Sequence, residues 1–406
     1  MKGASQREAS PMPSARNGRV SGEDLRFTRL RLKNWKNFVN VDVSLSRRTF
    51  VVGPNAAGKS NFLDAFRFLH DLVAVGGGFQ EAVQQRRGVS AIRGFAARRD
   101  PEVSLEVTLG NHADDNAWRY ELRFKKDRGG TAVITSKSTW HGDKRAFTRP
   151  DKEDQRDAQR LTETYSEQTS LNRDYGAIAR AFQSLRYLHI VPQLIREPER
   201  SFGRKNDPFG CDFLETIART SPRTRESRLN RIRKALSSSV PQLAELKIEP
   251  DVRGVWHLRG KYAHWRPQGA WQGEDQFSDG TLRLIGRLWS ILDGTGPLLL
   301  EEPELSLHSA VIDKIPQMIA RIQSRNGHQV IISTHSVEML SDSGIGADEV
   351  LIITPSAEGS QVFTATDKPS IVSMLDAGES LAISVAPLTA PPDIDDLPLF
   401  ADSGRR

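Results

Sequence analysis

The sequence predicts an α/β fold: a mixed or parallel core sheet with helical crossovers, joined by an antiparallel β-subdomain and a helical insertion. Three observations predict it. Gly53-Pro54-Asn55-Ala56-Ala57-Gly58-Lys59-Ser60 stands between a short apolar run, 49–52, and a stretch with Phe62, Phe66, Leu69 and Val73 at helical spacing. Segments 102–109, 118–124 and 131–140 alternate polar and apolar residues and are separated by turn chemistry. From Phe277 onward helix and strand patterns alternate, as parallel strands joined by crossovers require.

Taken in order, residues 1–22 are rich in Ser, Arg, Pro and Gly and lack a signal-peptide core, so a disordered basic tail is expected. Segment 26–32 alternates, 34–37 reads as a turn, and Val39, Val41, Val43 and Leu45 face one way. The helix after the glycine loop ends at Gly76-Gly77-Gly78, a run no helix tolerates. Residues 80–99 are polar and arginine-rich with little periodicity, and 148–168 suit either a long loop or an exposed helix. Segments 175–185, 213–218 and 225–236 look helical, with Leu229, Ile232 and Leu236 on one face of the last. A strand is expected at 187–191, with short candidates at 246–248 and 255–258. Later, Leu282, Ile285, Leu288, Trp289 and Leu292 stripe one helix, and Val311, Ile312, Ile315, Ile319 and Ile322 stripe the next. Strands are expected at 297–300, 330–333 and 350–353. There is no internal repeat and no sustained heptad pattern, which excludes long coiled-coil arms.

The chain has 406 residues, room for one large domain with insertions or for two domains. Hydrophobic residues make up 37% and charged residues 27%, and no apolar run approaches a membrane span, so a soluble protein is expected. Cys211 is the only cysteine, which rules out an intramolecular disulfide and fits a cytoplasmic setting. The net charge of +6 mildly favours a polyanionic partner.

The eight-residue stretch from Gly53 matches G-x-x-x-x-G-K-[ST] in the strand–turn–helix context in which that pattern binds phosphate. Gly58 and its neighbours allow backbone geometry a Cβ forbids, and turn N–H groups with a helix N-terminus then face an anion. Lys59 is expected on the β- and γ-phosphates of ATP, Ser60 on Mg²⁺, and Asn55 and Asn61 beside them. Leu298-Leu299-Leu300-Glu301-Glu302 is an apolar strand ending in two carboxylates, the Walker B arrangement. Glu301 would hold Mg²⁺ through water, and Glu302 would orient or deprotonate the attacking water. Phe277-Ser278-Asp279-Gly280-Thr281 opens a helix that Ser278 or Asp279 can cap; a capped helix is the plainer alternative. His335, after the apolar run 330–332, is placed to meet the γ-phosphate, although histidines at strand ends are more often structural.

These elements, in this order, resemble the ATP-binding-cassette ATPase heads of the SMC, RecF and OLD-like branch. The opening Leu30-Arg31-Leu32-Lys33-Asn34-Trp35-Lys36-Asn37-Phe38 and the run Glu301-Glu302-Pro303-Glu304-Leu305-Ser306-Leu307-His308 look like that branch too. The resemblance implies a P-loop NTPase of ABC-ATPase type. It also implies that Ser278 and Gly280 form a signature loop acting on ATP bound by a second subunit. A homodimer, or a higher even-numbered oligomer, would then complete the site. Residues 23–380 become one ATPase domain, with 100–145 the antiparallel β-subdomain, 146–276 a mostly helical insertion and 277–365 the half bearing the later motifs; 381–406 would be a loose tail. Glu301 replaces the usual Walker B aspartate, and the glutamine of the Q-loop is not assigned among Gln80, Gln84 and Gln85.

Arg219, Arg223, Arg225, Arg228, Arg231, Arg233 and Lys234 crowd one stretch, suiting either DNA-backbone contact or a solvated helix face. Arg86, Arg87, Arg93, Arg98 and Arg99 pose the same choice, and Trp265 and Trp271 suit buried anchoring better than base stacking. The sequence therefore predicts an ATPase in DNA repair or phage defence, coupled to DNA or to a separate nuclease-type partner and not to a membrane. A slow ATP-switched scaffold and, less well, the ATPase subunit of a membrane transporter are the alternatives.

Overall fold

The computed structural model describes residues 25–94, 100–164, 176–201, 207, 209–237, 239–263, 270–294 and 296–390. The expected tail at 1–22, together with Arg98, Arg99, Trp265 and 391–406, lies outside them.

Strands β1 (Arg26–Trp35), β2 (Phe38–Ser44) and β3 (Arg48–Val52) lead to helix α1 (Lys59–Asp71). Short helices α2 (Phe79–Gln84) and α3 (Val89–Ile92) precede β4 (Val103–Gly110), β5 (Trp118–Lys126), β6 (Ala132–His141) and β7 (Lys144–Arg149). The middle of the chain forms α4 (Gly176–Ser184), β8 (Arg186–Leu188), α5 (Pro192–Ile195), α6 (Phe213–Arg219) and α7 (Pro222–Leu236). It continues with β9 (Leu243–Pro250), β10 (Trp256–Tyr262) and β11 (Ala270–Gly273). The last part comprises α8 (Asp279–Leu292), β12 (Leu298–Glu301), α9 (Ser309–Ile312), α10 (Ile315–Asn326) and β13 (Val330–Thr334). Strands β14 (Val350–Thr354) and β15 (Gln361–Thr364) and helices α11 (Pro369–Asp376) and α12 (Leu381–Thr389) close it.

The core sheet runs β15-β14-β3-β13-β12-β8. Its pairs are parallel except β14 with β15, so it is the mixed sheet the alternating pattern predicts. A second, antiparallel sheet runs β2-β1-β4-β5-β6-β7, so the expected β-subdomain is continuous with the N-terminal hairpin. Helix α1 lies between the two sheets, which is why apolar residues surround most of it. Phe66 meets Phe27 of β1 edge-on at 5.0 Å, and Phe68 stacks on Phe124 of β5 at 5.7 Å. Val51, Leu299 and Ile331 join that core from one face of the mixed sheet, while Phe50, Leu300 and Ile332 bury the other face under α10 and α12.

Several expectations need correction. The stretch 146–276 is not mostly helical among its described residues, because β9, β10 and β11 form a third, antiparallel sheet under α6 and α7. The stripe from Val311 to Ile322 is two helices, and Pro316 in the first turn of α10 marks the break. The C-terminal segment is not loose from its start: α12 buries Leu381, Ala382 and Val385 on the core. Residues 144–149 form β7, and the rest of 148–164 is turns and one 3-10 segment, Ala158–Thr162. No helix among the described residues is long and apolar enough to cross a membrane.

Phe66 is fully buried between the sheets. Phe66→Ala is expected to cost about 3–5 kcal/mol, read as a lower urea midpoint with an unchanged slope; a midpoint at the wild-type value would contradict this packing.

Candidate active site

Main-chain register assembles the site. Val52 of β3 pairs with Thr334 of β13, Ser333 pairs with Glu301 of β12, and Leu300 pairs with Leu188 of β8. The next residues on the four strands are Gly53, His335, Glu302 and His189, gathered in a stepwise stagger at the carboxyl edge of a parallel sheet. Ligands of open α/β sheets bind at that edge.

The glycine loop is shaped by contacts from far away in sequence. Gly53 has φ +155°, and a Cβ there would stand 2.4 Å from the Ile353 carbonyl oxygen. Gly58 has φ +110°, and a Cβ would meet the Asn37 side chain at 2.2 Å. The Ala57 carbonyl accepts from Asn37 Nδ2 at 2.7 Å and from Ser360 Oγ at 2.6 Å. Asn61 Nδ2 donates to Asn37 Oδ1 at 2.7 Å, so Asn61 braces the loop from behind. Asn55 is exposed at its tip.

Lys59 is 5% exposed. Its ammonium donates to the carbonyls of Gly53 at 2.8 Å and Pro54 at 2.9 Å and meets His335 Nδ1 at 3.1 Å. Burial lowers its pKa to about 8, against the opposing pull of Glu302, Glu304 and Glu301. His335 Nε2 lies 2.6 Å from Glu302 Oε1. With Lys59 donating to Nδ1, the ring proton sits on Nε2 and is donated to Glu302. Glu302 itself has φ +44°, unusual for a residue with a Cβ. Its N–H donates to Ser333 O at 2.9 Å, and its carbonyl accepts from Arg287 Nη2 at 3.2 Å.

The two adjacent carboxylates are pushed apart. The hydrogen bond from His335 holds Glu302 below the usual carboxylate range, while burial raises Glu301. Glu301 accepts from the hydroxyls of Ser60 and Tyr187. The geometry thus brings Lys59, Ser60, Glu301, Glu302 and His335 together. Ser278 caps α8, accepting from Thr281 N at 3.2 Å, and a Cβ on Gly280 would stand 2.5 Å from Ser306 O. That turn packs against the segment after Glu302 rather than on the glycine loop of its own chain.

Sequence reasoning missed Tyr187, His189 and Arg287. Burial holds the His189 imidazole below its ordinary value, with Glu302 opposing. Arg287 is 5% exposed on α8, and burial lowers its pKa too. The apolar register of β8 against β12 would have pointed to the first two, but only once the strand order was known. Gln80 donates to Ala132 O and Thr162 O, and Gln85 to Glu81, so both serve local structure. The basic clusters are partly spent. Arg228 pairs with Asp293 at 2.6 Å, Arg225 lies over the Trp256 ring and Arg219 pairs with Glu215, leaving Arg223, Arg231 and Lys234 exposed. Arg86 is buried on Asp64 and Asp71. Trp271 is not a buried anchor: it is 42% exposed under Lys247.

A glycine loop after the sheet's inner strand, with acids and a histidine on the neighbouring strand ends, defines a P-loop ATPase head of the ABC type. The family model described as "AAA domain, putative AbiEii toxin, Type IV TA system" matches residues 48–341, and the chain belongs to that family. Over 91 residues, 22% of this chain, it is 30% identical to Endonuclease GajA of Bacillus cereus (strain VD045), and the match spans 14% of that protein. The solved SmcHead bound to the C-winged helix domain of ScpA is 14% identical and has a TM-score of 0.52. That likeness covers 83% of this chain and 97% of the other, and it is one of fold.

The residues present fit a nucleotide and Mg²⁺. The glycine cradle has no room for a Cβ, a buried lysine is held only by uncharged groups and the imidazole, and a serine–glutamate oxygen pair suits a hard cation. Phosphate beside Lys59 should restore its proton. With the ligand-free value at about 8, nucleotide binding at pH 8 is expected to take up roughly half a proton. The uptake fades toward pH 6.5 and is absent in Lys59→Ala. Calorimetry in buffers of different ionisation enthalpy reads it, and equal uptake in both proteins would refute the assignment.

Proposed function

We propose that the chain hydrolyses ATP to ADP and phosphate across a head-to-head homodimer, or a higher even-numbered oligomer. The observation that carries this reading is the line Lys59–His335–Glu302, with contacts of 3.1 and 2.6 Å at the mouth of the glycine loop. Lys59 binds the β- and γ-phosphates, exchanging its internal acceptors for phosphate oxygens. Asn55 and Gly58 shape the loop around them. Glu302 accepts the proton of the attacking water, and His335 orients Glu302 and meets the γ-phosphate. Ser60 and Glu301 would hold Mg²⁺, which supplies positive charge to the phosphates when bound. Ser278 caps α8 and Gly280 packs on Ser306, an arrangement that suits a role on the partner's ATP.

The setting we infer is a cytoplasmic one in DNA repair or phage defence, coupled to DNA or to a separate nuclease-type protein. The partial likeness to a protein named an endonuclease supports the nuclease-type coupling. Arg223, Arg231 and Lys234 on α7 are exposed and suit contact with a DNA backbone. A resting Lys59 with all three N–H bonds made inside the chain also suits a slow, ATP-switched scaffold. Turnover measured with and without DNA separates the two readings.

Phosphate release is expected to fall about 10²–10⁴-fold in Glu302→Gln and to be lost in Lys59→Ala; equal rates in wild type and both variants would sink the enzyme assignment. Glu302→Gln is expected to retain ATP and accumulate as a dimer in velocity sedimentation. A monomer alone, at saturating ATP, would refute the composite site.

A further inference from the structure

Glu304 lies two residues past Glu302, in a turn closed by Leu305 N–H to the Glu302 carbonyl at 3.2 Å. It is 8% exposed. Acids this buried are usually paired with a cation. Here one oxygen instead takes two neutral donors: Oε1 accepts from the Thr334 hydroxyl at 2.7 Å and from the His335 main-chain N–H at 2.8 Å. The other, Oε2, is buried with no hydrogen-bond partner among the described residues. A carboxylate left half unsatisfied in the interior is costly, so what Oε1 does must outweigh that cost.

The need it meets follows from the sheet. Ladder pairing between β3 and β13 ends at Val52 and Thr334. The His335 N–H, however, faces the other neighbour: Val330 N donates to Arg47 O beside β3, whereas Ser333 O accepts from Glu302 N beside β12. Strand β12 ends at Glu301, so the His335 N–H has left the ladder. Glu304 takes that N–H and fixes the Thr334 hydroxyl, which in turn accepts from Ser336 N at 3.0 Å. The main chain is thereby anchored on both sides of His335, whose ring bridges Lys59 and Glu302.

We infer that Glu304 is a positioning residue that sets the His335 imidazole between Lys59 and Glu302, acting on the ring through main-chain reach. Its effect on turnover rests on the hydrolytic roles proposed for Glu302 and His335; its effect on the ring does not. Glu304→Asp keeps the charge and loses one bond length of reach. Glu304→Gln keeps the reach and an acceptor oxygen and loses the charge.

The test compares these variants in the full chain. Glu304→Asp is expected to lower kcat about 10–100-fold, the scale of a small misplacement of a reacting group, with KM for ATP changed less than about threefold. Glu304→Gln should stay within about threefold of wild type. In a His335→Ala background, Glu304→Asp should add less than about twofold, as coupled positions do. Without nucleotide, the His335 Cε1–H resonance, assigned by its loss in His335→Ala, should move in Glu304→Asp and hold its place in Glu304→Gln. An unmoved resonance in Glu304→Asp, an equal loss in Glu304→Gln, or additive losses would each overturn the inference. Should Glu304→Asp fail to fold, Thr334→Val removes the neighbouring anchor and must shift the same resonance. A wild type that releases no phosphate would defeat the hydrolysis reading alone, and the resonance comparison would still decide the placement.

Discussion

The hydrogen-bond ladder between β3 and β13, continued to β12, is the constraint on which the site depends. Parallel strands in register end near one another, so the residues that follow them are gathered at one edge, where side-chain contacts then join Lys59, His335 and Glu302. A shift of one residue between β13 and β12 would carry Glu301 and Ser333 out of step and turn side chains to the opposite face. That register is enforced from both sides. Val51, Leu299 and Ile331 pack on α1, and Phe50, Leu300 and Ile332 pack under α10 and α12. The chemistry is thus anchored in apolar packing several ångströms beneath it.

Above the ladder, electrostatics does the sorting. Glu301 and Glu302 are chain neighbours, yet one is raised by burial and the other lowered by a histidine. Pairs of acids whose surroundings separate them in this way are set apart for different roles. Glu302 takes a left-handed backbone, φ +44°, as the chain leaves β12. Arg287, reaching from α8 to the Glu302 carbonyl, helps hold that unfavoured conformation.

Much of this was legible in the sequence where short-range rules suffice. The glycine loop, the apolar strands before Glu301 and His335, and the stripe on α8 each declare themselves within about ten residues. What escaped was non-local. Strand β8 has three residues, too few for periodicity, so the placement of Tyr187 and His189 beside the acids could not be read before the sheet order was known. The strands expected at 246–248 and 255–258 fall on β9 and β10, but their full length and the third strand, β11, were not read, because one face of the sheet is charged, where Lys247, Glu249 and Lys261 form ion pairs. The split of the helix near Pro316 was visible in principle, but a continuous apolar stripe outweighed one proline. The expected tail begins with structure at 381 because α12 is a short apolar helix that packs on α11 and on Met339 and Leu340.

The clamp on the Ala57 carbonyl bears on the order in which the protein is made. One of its donors, Asn37, comes 20 positions earlier, and the other, Ser360, comes 303 positions later. A nascent chain exposes the whole glycine motif long before Ser360 leaves the ribosome. Until then the loop lacks half its clamp, and β3 lacks both of its ladder partners, β13 and β14. Distant closures of this kind form late in folding. The phosphate-binding shape therefore draws on both ends of the chain.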